Sequence, residues 1–219
     1  MGGSGMTAEQ LWRESEELAA AALAHPFVRG IADGTLDRDR YAAYIAQDAV
    51  FLEAFARAYA LALAHCPDRT GVEAFAALIG GVHEELRLHD GVAARWGIDM
   101  AKVRPSSATL AYTEFLLATA TTGDTGTTCA AMTPCMRLYA YLGRSLAATA
   151  APEAPPDPEN PVASYREWID AYASDEFEQL AATLEGLLDR YVTDPAAVRD
   201  VYRRAMRLEV AFFDAAAGM

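Results

Sequence analysis

Apolar residues recur with a helical period along nearly the whole sequence, and no segment alternates between apolar and polar residues for long. Steps of three and four residues place apolar side chains on one face of an α-helix. The pattern predicts helices over about 7–24, 37–65, 70–96, 105–123, 125–151, 162–191 and 195–217, the sixth with a break near residues 174 and 175. A short helical turn and a reverse turn are expected over 25–35. We therefore predict an all-α protein.

The length and composition indicate a single domain. A chain of 219 residues with 53% hydrophobic content can bury a substantial core. We expect residues 1–5 (MGGSG) to be a remnant of expression and residues 6–219 to form one domain. The proline-rich run over 151–161 is expected to be a surface loop rather than a domain linker. No apolar run reaches the roughly 18 residues of a membrane span, so we expect no membrane partner.

Charge and cysteine content narrow the class of function. The net charge is −13 and no Lys/Arg cluster offsets it, which argues against a nucleic-acid partner. The three cysteines do not make a disulfide framework, and the chain begins without a secretion signal. We therefore expect reduced cysteines and a cytoplasmic location.

A carboxylate lies within an apolar stripe of the second long helix. Tyr44, Asp48, Phe51 and Phe55 follow one another at steps of four, three and four, so they share one face. An ionised Asp among aromatic rings is costly to bury unless a polar group meets it. Either another side chain or a ligand must satisfy Asp48.

Further inward-facing polar residues lie on other helices. Cys135 follows Pro134, which removes a backbone donor and is expected to kink the helix. Glu209 falls on an apolar stripe, where it could also form a buried salt bridge with an arginine. On residue patterns alone, Cys135 could equally be a small buried hydrophobe. The tyrosines on apolar faces could be core residues with local hydrogen bonds; they are Tyr112, Tyr139 and Tyr165.

The sequence does not favour a metal centre. His83 and His89 are six residues apart, about 240° around a helix, and no Glu-x-x-His pair is present in this segment. Glu85 and His89 are expected to be a surface or buried hydrogen-bonded pair, and His25 a structural turn residue. We predict no metal and no cofactor.

Several motifs spread along the chain resemble those of the TenA/thiaminase II family, within the haem-oxygenase-like superfamily. They are HPFVRGIADGTL, YIAQD followed by FL, PSSATLAYT, TPC followed by LYAYLG, SYREWIDAY, and RLE followed by FF. The resemblance implies a haem-oxygenase-like helical bundle and a homotetramer. It also implies a small pyrimidine substrate of thiamin salvage: 4-amino-5-aminomethyl-2-methylpyrimidine, hydrolysed to the hydroxymethyl compound and ammonia, with thiamin as a further substrate.

The resemblance also assigns roles to the candidate residues. Cys135, in the branch of the family that carries this cysteine, would be the nucleophile that adds to the pyrimidine ring. Glu209 would exchange a proton with a ring nitrogen, and Asp48 would hydrogen-bond the amino-pyrimidine edge and assist Cys135. The substrate would be bound by Tyr112, Tyr139, Tyr165 and Phe51. Phe51 stands where many relatives have tyrosine, so a hydroxyl contact is lost there.

The chemistry sets one expectation and leaves two alternatives. Adding sulfur to an aromatic ring requires a nearby acid, so Glu209, surrounded by apolar residues, should have a raised pKa. Carboxylates near Cys135 should raise the pKa of its thiol. One alternative is a non-enzymatic pyrimidine sensor that acts through a protein partner. The other is a hydrolase of a formylamino pyrimidine, which the Phe51 departure keeps open.

Overall fold

The computed structural model describes residues 6–148 and 161–218, which form α-helices and short connections. The helices are α1 (Ala8–Glu14), α2 (Glu16–Ala24), α3 (Pro26–Asp33), α4 (Arg38–His65), α5 (Arg69–Trp96), α6 (Ser107–Thr122), α7 (Thr125–Ala147), α8 (Pro161–Ala173), α9 (Asp175–Tyr191) and α10 (Pro195–Ala217). A single 3₁₀ turn, Met100–Lys102, precedes α6 in the described chain. The predicted all-α class is confirmed.

The sequence pattern is wrong at one boundary. The helix expected over 7–24 is two helices, separated at Ser15. The Ser15 hydroxyl donates back to the Leu11 carbonyl at 2.9 Å, and the Ser15 backbone leaves the helical region. A serine side chain can compete in this way with the backbone hydrogen bonds of a helix. The spacing of apolar residues gives no sign of this competition. The break expected near residue 174 is confirmed. The expectations for residues 1–5 and for the loop before Pro161 lie outside the described residues.

Side-chain caps define where most of these helices begin. The side chain before the first helical residue accepts a backbone N–H of the first turn, which satisfies an otherwise unpaired donor. The capping residues that do this are Thr7, His25, Asp37, Asp68, Ser106, Asp124, Ser174 and Asp194. Such caps fix where each helix begins, and therefore the position of each following residue along the helix axis.

Helix α7 runs through the centre of the bundle. It packs against α4, α6, α8, α9 and α10, and most of its residues are buried. Gly143 allows α8 to approach closely, because a Cβ at this position would lie 2.4 Å from the backbone carbonyl carbon of Tyr172. The helix that carries Cys135 is therefore enclosed by its neighbours.

Helices α4 and α5 form an antiparallel pair joined by residues 66–68. Asp48 lies 17 residues before the end of α4, and His89 lies 20 residues after the start of α5. At 1.5 Å per residue, both lie about 25–30 Å from the connection. The hairpin thus places Asp48 and His89 at a similar height on facing helices. No helix in the described ranges is long and apolar enough to span a membrane.

Candidate active site

Cys135, Glu209 and Tyr112 meet in the interior, although they come from three helices. The Tyr112 hydroxyl donates to Glu209 Oε1 at 2.5 Å, and the Cys135 thiol lies near enough to the same carboxyl group for each to shift the other's pKa. Glu209 is only 2% exposed and Cys135 only 8%. The partners of Glu209 are therefore a phenol and a thiol, and not the arginine of a buried salt bridge.

Burial and neighbouring charge determine the protonation of this group. Burial raises the pKa of Glu209 to about 8, with a further increase from the charge of Asp48, while the hydrogen bonds from Tyr112 and Cys135 act in the opposite direction. Burial also raises the pKa of the Cys135 thiol well above its usual value, and the nearby carboxylates of Glu209, Glu85 and Asp48 add to that increase. Both directions agree with the sequence-based expectation. Near neutral pH, Glu209 can act as an acid and Cys135 rests as a thiol.

The backbone around Cys135 lacks one helical hydrogen bond. Helix α7 continues through Pro134, which has no N–H to donate to the carbonyl four residues earlier. The adjacent Thr133 hydroxyl donates to the Cys129 carbonyl at 2.7 Å. Proline is therefore accommodated inside the helix directly before Cys135.

Aromatic rings cover the hydrogen-bonded group. The Phe51 ring lies 4.7 Å from the ring of Tyr112 and 5.9 Å from that of Phe212. Phe51 is 3% exposed. Apolar aromatic surface of this kind suits the face of a heteroaromatic ring.

Tyr139 lies one helical turn beyond Cys135 and is held by a chain of polar groups. The Trp168 indole donates to the Tyr44 hydroxyl at 3.1 Å, and the Tyr44 hydroxyl donates to that of Tyr139 at 3.2 Å. An indole N–H can only donate, so the Tyr44 oxygen accepts from Trp168 while its own proton goes to Tyr139. Tyr139 therefore keeps its own proton available for a further acceptor.

Asp48 is satisfied by a side chain. His89 Nε2 lies 2.8 Å from Asp48 Oδ2, and both residues are buried. His89 Nδ1 faces the backbone carbonyl of Glu85 at 3.0 Å, while the carboxylate of Glu85 accepts a hydrogen bond from Tyr172. Glu85 and His89 are thus linked through a backbone carbonyl, not as the pair of side chains that their spacing suggests.

This second polar group also has shifted pKa values. Burial alone would lower the pKa of His89, but the hydrogen bond to Asp48 and the charges of Asp48 and Glu85 outweigh it and raise the pKa. Burial and the charge of Asp48 raise the pKa of Glu85 to about 7, against the opposing effects of His89 and Tyr172. Buried acidic and basic groups with shifted pKa values are characteristic of functional sites.

Tyr165 lies apart from the Cys135 group. Its hydroxyl donates to the Leu36 carbonyl at 2.7 Å, and its ring contacts Tyr41 at a centroid distance of 4.7 Å. These contacts join α8 to the connection between α3 and α4. The ring of Tyr41 in turn lies 6.0 Å from that of Tyr44, which places Tyr165 at the edge of the aromatic interior.

The sequence does not predict several residues that the fold brings to the site. They are Tyr44, Glu85, His89, Trp168, Tyr172 and Phe212. One signal was available for two of them, because Glu85 and His89 share a helix face at a spacing of four. The pairing of His89 with Asp48 depends on how α4 and α5 pack, which that spacing does not reveal. His25 caps α3 through Nδ1 and contacts Asp214 through Nε2, which agrees with a structural role.

A cavity of about 210 Å³ opens beside the aromatic wall. Its lining includes Tyr44 and Phe212, together with the polar residues Gln47, Ser106 and Thr109. Gln47 accepts hydrogen bonds from the Ser106 amide at 2.8 Å and the Thr109 hydroxyl at 2.6 Å, which hold its side chain in place. Tyr44 and Phe212 therefore border both this cavity and the aromatic rings around the site. Among the described residues, no cluster of His, Cys, Asp and Glu has the arrangement of a metal centre.

Solved structures with the same architecture define the class of protein. A domain from Shewanella denitrificans with a heme oxygenase-like fold matches 97% of the chain with a TM-score of 0.73 at 16% identity. A TenA homologue from Pyrococcus furiosus gives a TM-score of 0.86 at 22% identity, covering 96% of this chain and 100% of its own. A TenA family transcription regulator from Silicibacter gives 0.86 at 28% identity, covering 97% and 96%. The protein is a haem-oxygenase-like helical bundle.

The sequence comparison specifies the family. The model of the TENA/THI-4/PQQC family matches residues 12–219, and the chain belongs to this family. It is 32% identical to an aminopyrimidine aminohydrolase from Halalkalibacterium halodurans, over 95% of this chain and 94% of the relative. It is 36% identical to the mitochondrial bifunctional TH2 protein of Arabidopsis thaliana, over 94% of this chain but only 36% of that longer protein.

Proposed function

We propose that this protein hydrolyses 4-amino-5-aminomethyl-2-methylpyrimidine to the hydroxymethyl pyrimidine and ammonia, with thiamin as a second substrate, in thiamin salvage. The chain is an enzyme, a hydrolase of C–N bonds of the aminopyrimidine aminohydrolase type. The observation that carries the proposal is the buried group in which Cys135 and Tyr112 share the carboxyl of Glu209. A nucleophile and an acid in direct contact are what addition to an aromatic ring requires.

The raised pKa values indicate how the proton moves. Cys135 rests as a thiol, so its proton must leave as sulfur bonds to a ring carbon. Glu209 passes a proton to a ring nitrogen and takes up the thiol proton, which keeps the buried charge unchanged. Glu209 then gives the proton it took from the thiol to the exocyclic amine, and the ring electrons expel that amine as ammonia. Water adds to the exposed methylene and returns a proton to Glu209. The C–S bond breaks, and the sulfur takes the proton of the ring nitrogen, which restores the aromatic ring and the thiol.

The remaining residues bind and orient the pyrimidine. Phe51 and Tyr112 supply aromatic faces, and Tyr139 supplies a free hydroxyl proton. Asp48 accepts hydrogen bonds from the amino edge of the ring. Tyr165 is assigned to the outer part of the binding site, where its ring supports Tyr41. The proposed reaction uses neither a metal ion nor a cofactor.

Relatives support this assignment at the level of the reaction. Proteins named aminopyrimidine aminohydrolase from Halalkalibacterium halodurans and Bacillus subtilis are each 32% identical to the chain, over 95% and 75% of its length. The homotetramer, the single domain over 6–219 and the cytoplasmic location remain predictions.

The test is ammonia release from the aminomethyl pyrimidine, measured for the native chain and for Cys135→Ser. We expect the variant to lose turnover by several orders of magnitude, because a serine hydroxyl is a far weaker nucleophile at this pH. Cys66→Ser is the matched control, since Cys66 is a free cysteine on the connection between α4 and α5. Full activity of Cys135→Ser would contradict covalent catalysis by this residue.

The same assay separates the two alternatives. A formylamino pyrimidine hydrolase would release formate or ammonia only from the formylated compound. A sensor would bind the pyrimidine tightly without turnover, and its partner would be another protein, because the net charge of −13 disfavours DNA. A native chain that turns over neither pyrimidine nor thiamin would overturn the hydrolase assignment.

A further inference from the structure

The two ring nitrogens of His89 both face hydrogen-bond acceptors. Nδ1 lies 3.0 Å from the backbone carbonyl of Glu85, and Nε2 lies 2.8 Å from Asp48 Oδ2. A carbonyl oxygen can only accept, so Nδ1 must carry a proton. Neutral histidine has one ring proton, so a neutral His89 would aim the lone pair of Nε2 at a carboxylate oxygen. That arrangement is repulsive, and a second proton must lie between Nε2 and Oδ2.

Both members of the pair are removed from water. His89 is 1% exposed and Asp48 is 3% exposed, so neither can exchange its partner for solvent. A buried carboxylate alone is costly, and a buried imidazolium alone is equally so. Placed 2.8 Å apart, the two charges compensate each other and leave the pair without net charge.

Other titratable groups surround the pair from several helices. Tyr41 and Tyr44 lie on α4 and Glu85 on α5, while Tyr172 lies on α8. The charge of Asp48 also reaches Tyr139 and Cys135 on α7 and Glu209 on α10. Among these groups, His89 is the one that can supply a positive charge to Asp48.

We propose that His89 is a positioning residue for the reaction, which holds Asp48 as an ionised, fixed acceptor by keeping an imidazolium proton on Nε2. This inference rests on the proposed function, because it assigns Asp48 to the amino edge of the pyrimidine. His89 fixes Oδ2 and leaves Oδ1 for the substrate. Its positive charge also prevents Asp48 from competing with Glu209 for the proton that the ring nitrogen needs.

The first experiment measures the protonation state of the His89 ring nitrogens by NMR. The chain has four histidines, so ¹⁵N-histidine labelling of the full-length protein gives few signals, and His89→Gln identifies the one that belongs to His89. At pH 8, well above the ordinary histidine pKa of about 6.5, we expect both ring nitrogens of His89 to be protonated. Asp48→Asn should remove the Nε2 proton at this pH. A neutral His89 in the native chain would overturn the inference.

The second experiment measures kcat/KM against pH for His89→Gln. Glutamine can donate one hydrogen bond but brings no charge, so the buried Asp48 carboxylate loses the positive partner that compensates it. We expect kcat/KM near neutrality to fall by about 10- to 100-fold, the usual effect of a misplaced catalytic contact. The acid limb of the profile should also move to higher pH. His83→Gln is the matched control, because His83 is an exposed histidine on the same helix.

The possible outcomes are distinct. If His89 served only to stabilise the fold, His89→Gln would lower the fraction of active protein without moving the acid limb, and that result would overturn the inference. An unchanged profile at full activity would overturn it as well. A native chain that hydrolyses neither substrate would instead refute the proposed function, while the NMR measurement would still report where the proton lies.

Discussion

Tyr112 and Glu209 are joined across the interior by a hydrogen bond of 2.5 Å, in which the tyrosine hydroxyl donates to the carboxyl group. The bond links α6 to α10 and lies next to the Cys135 thiol. It acts against the burial that raises the pKa of Glu209 to about 8. Tyr112 therefore adjusts the acidity of the group that the proposed reaction uses as its acid.

Replacing Tyr112 by phenylalanine should change the pH dependence of activity. In the native chain, kcat/KM should fall as the pH rises through about 8, because Glu209 then loses its proton. Tyr112→Phe removes a bond that lowers this pKa, so the basic limb should move upward by about one pH unit. The comparison uses pH–rate profiles of both proteins. Tyr202→Phe is the control, since the Tyr202 hydroxyl is buried without a partner among the described residues. A basic limb that stays in place would contradict this role of Tyr112.

Glu209 should also make the folded state less stable as the pH rises. Its carboxyl keeps a proton up to about pH 8 when folded, whereas the ordinary pKa of a glutamate side chain is 4.5. Unfolding therefore releases a proton between these values, and the free energy of unfolding falls across this range. Glu209→Gln should flatten the decline, measured by urea unfolding at pH 5, 7 and 9. Glu114→Gln, at an exposed position on α6, should leave the slope unchanged. The raised pKa of His89 contributes with the same sign in both proteins.

Loss of the Phe51 ring should weaken substrate binding more than catalysis. Phe51→Leu keeps an apolar side chain but removes an aromatic contact of the kind worth about 0.5–1.5 kcal/mol. We expect KM to rise by about 2- to 10-fold with kcat nearly unchanged, in steady-state kinetics with the aminomethyl pyrimidine. Phe55→Leu, one turn further along α4, should lower stability and leave KM alone. Equal effects of the two variants on KM would argue against a ring-stacking role for Phe51.

The close approach of α7 and α8 should make Gly143 intolerant of a side chain. Gly143→Ala places a Cβ 2.4 Å from the Tyr172 backbone, and relief of this clash must move α8. The loss should be about 1–3 kcal/mol of unfolding free energy, measured by chemical denaturation. Gly186→Ala on α9 meets nothing within 4 Å, so it should stabilise the helix by up to about 1 kcal/mol. A stable Gly143→Ala protein would contradict the packing described between these helices.

Structural features that depend on residues close together in the chain agree better with the sequence-based predictions than features that depend on distant residues. The helical period and the caps predict α4, α5 and α10 to within one or two residues, because they depend on neighbouring residues. The helical period does not predict the break at Ser15. The Ser15 hydroxyl donates to the carbonyl of Leu11, and this bond leaves the spacing of the apolar residues unchanged. The inward direction of Asp48 and Glu209 is also a local property, and both are buried as the pattern predicts.

The sequence alone determined the all-α class, the boundaries of the long helices α4, α5 and α10, and the helix face on which Asp48 and Glu209 lie. These follow from backbone geometry that repeats every few residues. Only the tertiary structure decided which polar groups meet: Glu209 with Tyr112 and Cys135, and Asp48 with His89. These partners lie 41 or more residues apart in the chain. Their contacts depend on how the buried faces of different helices pack together. The period of apolar residues in the sequence does not predict that packing.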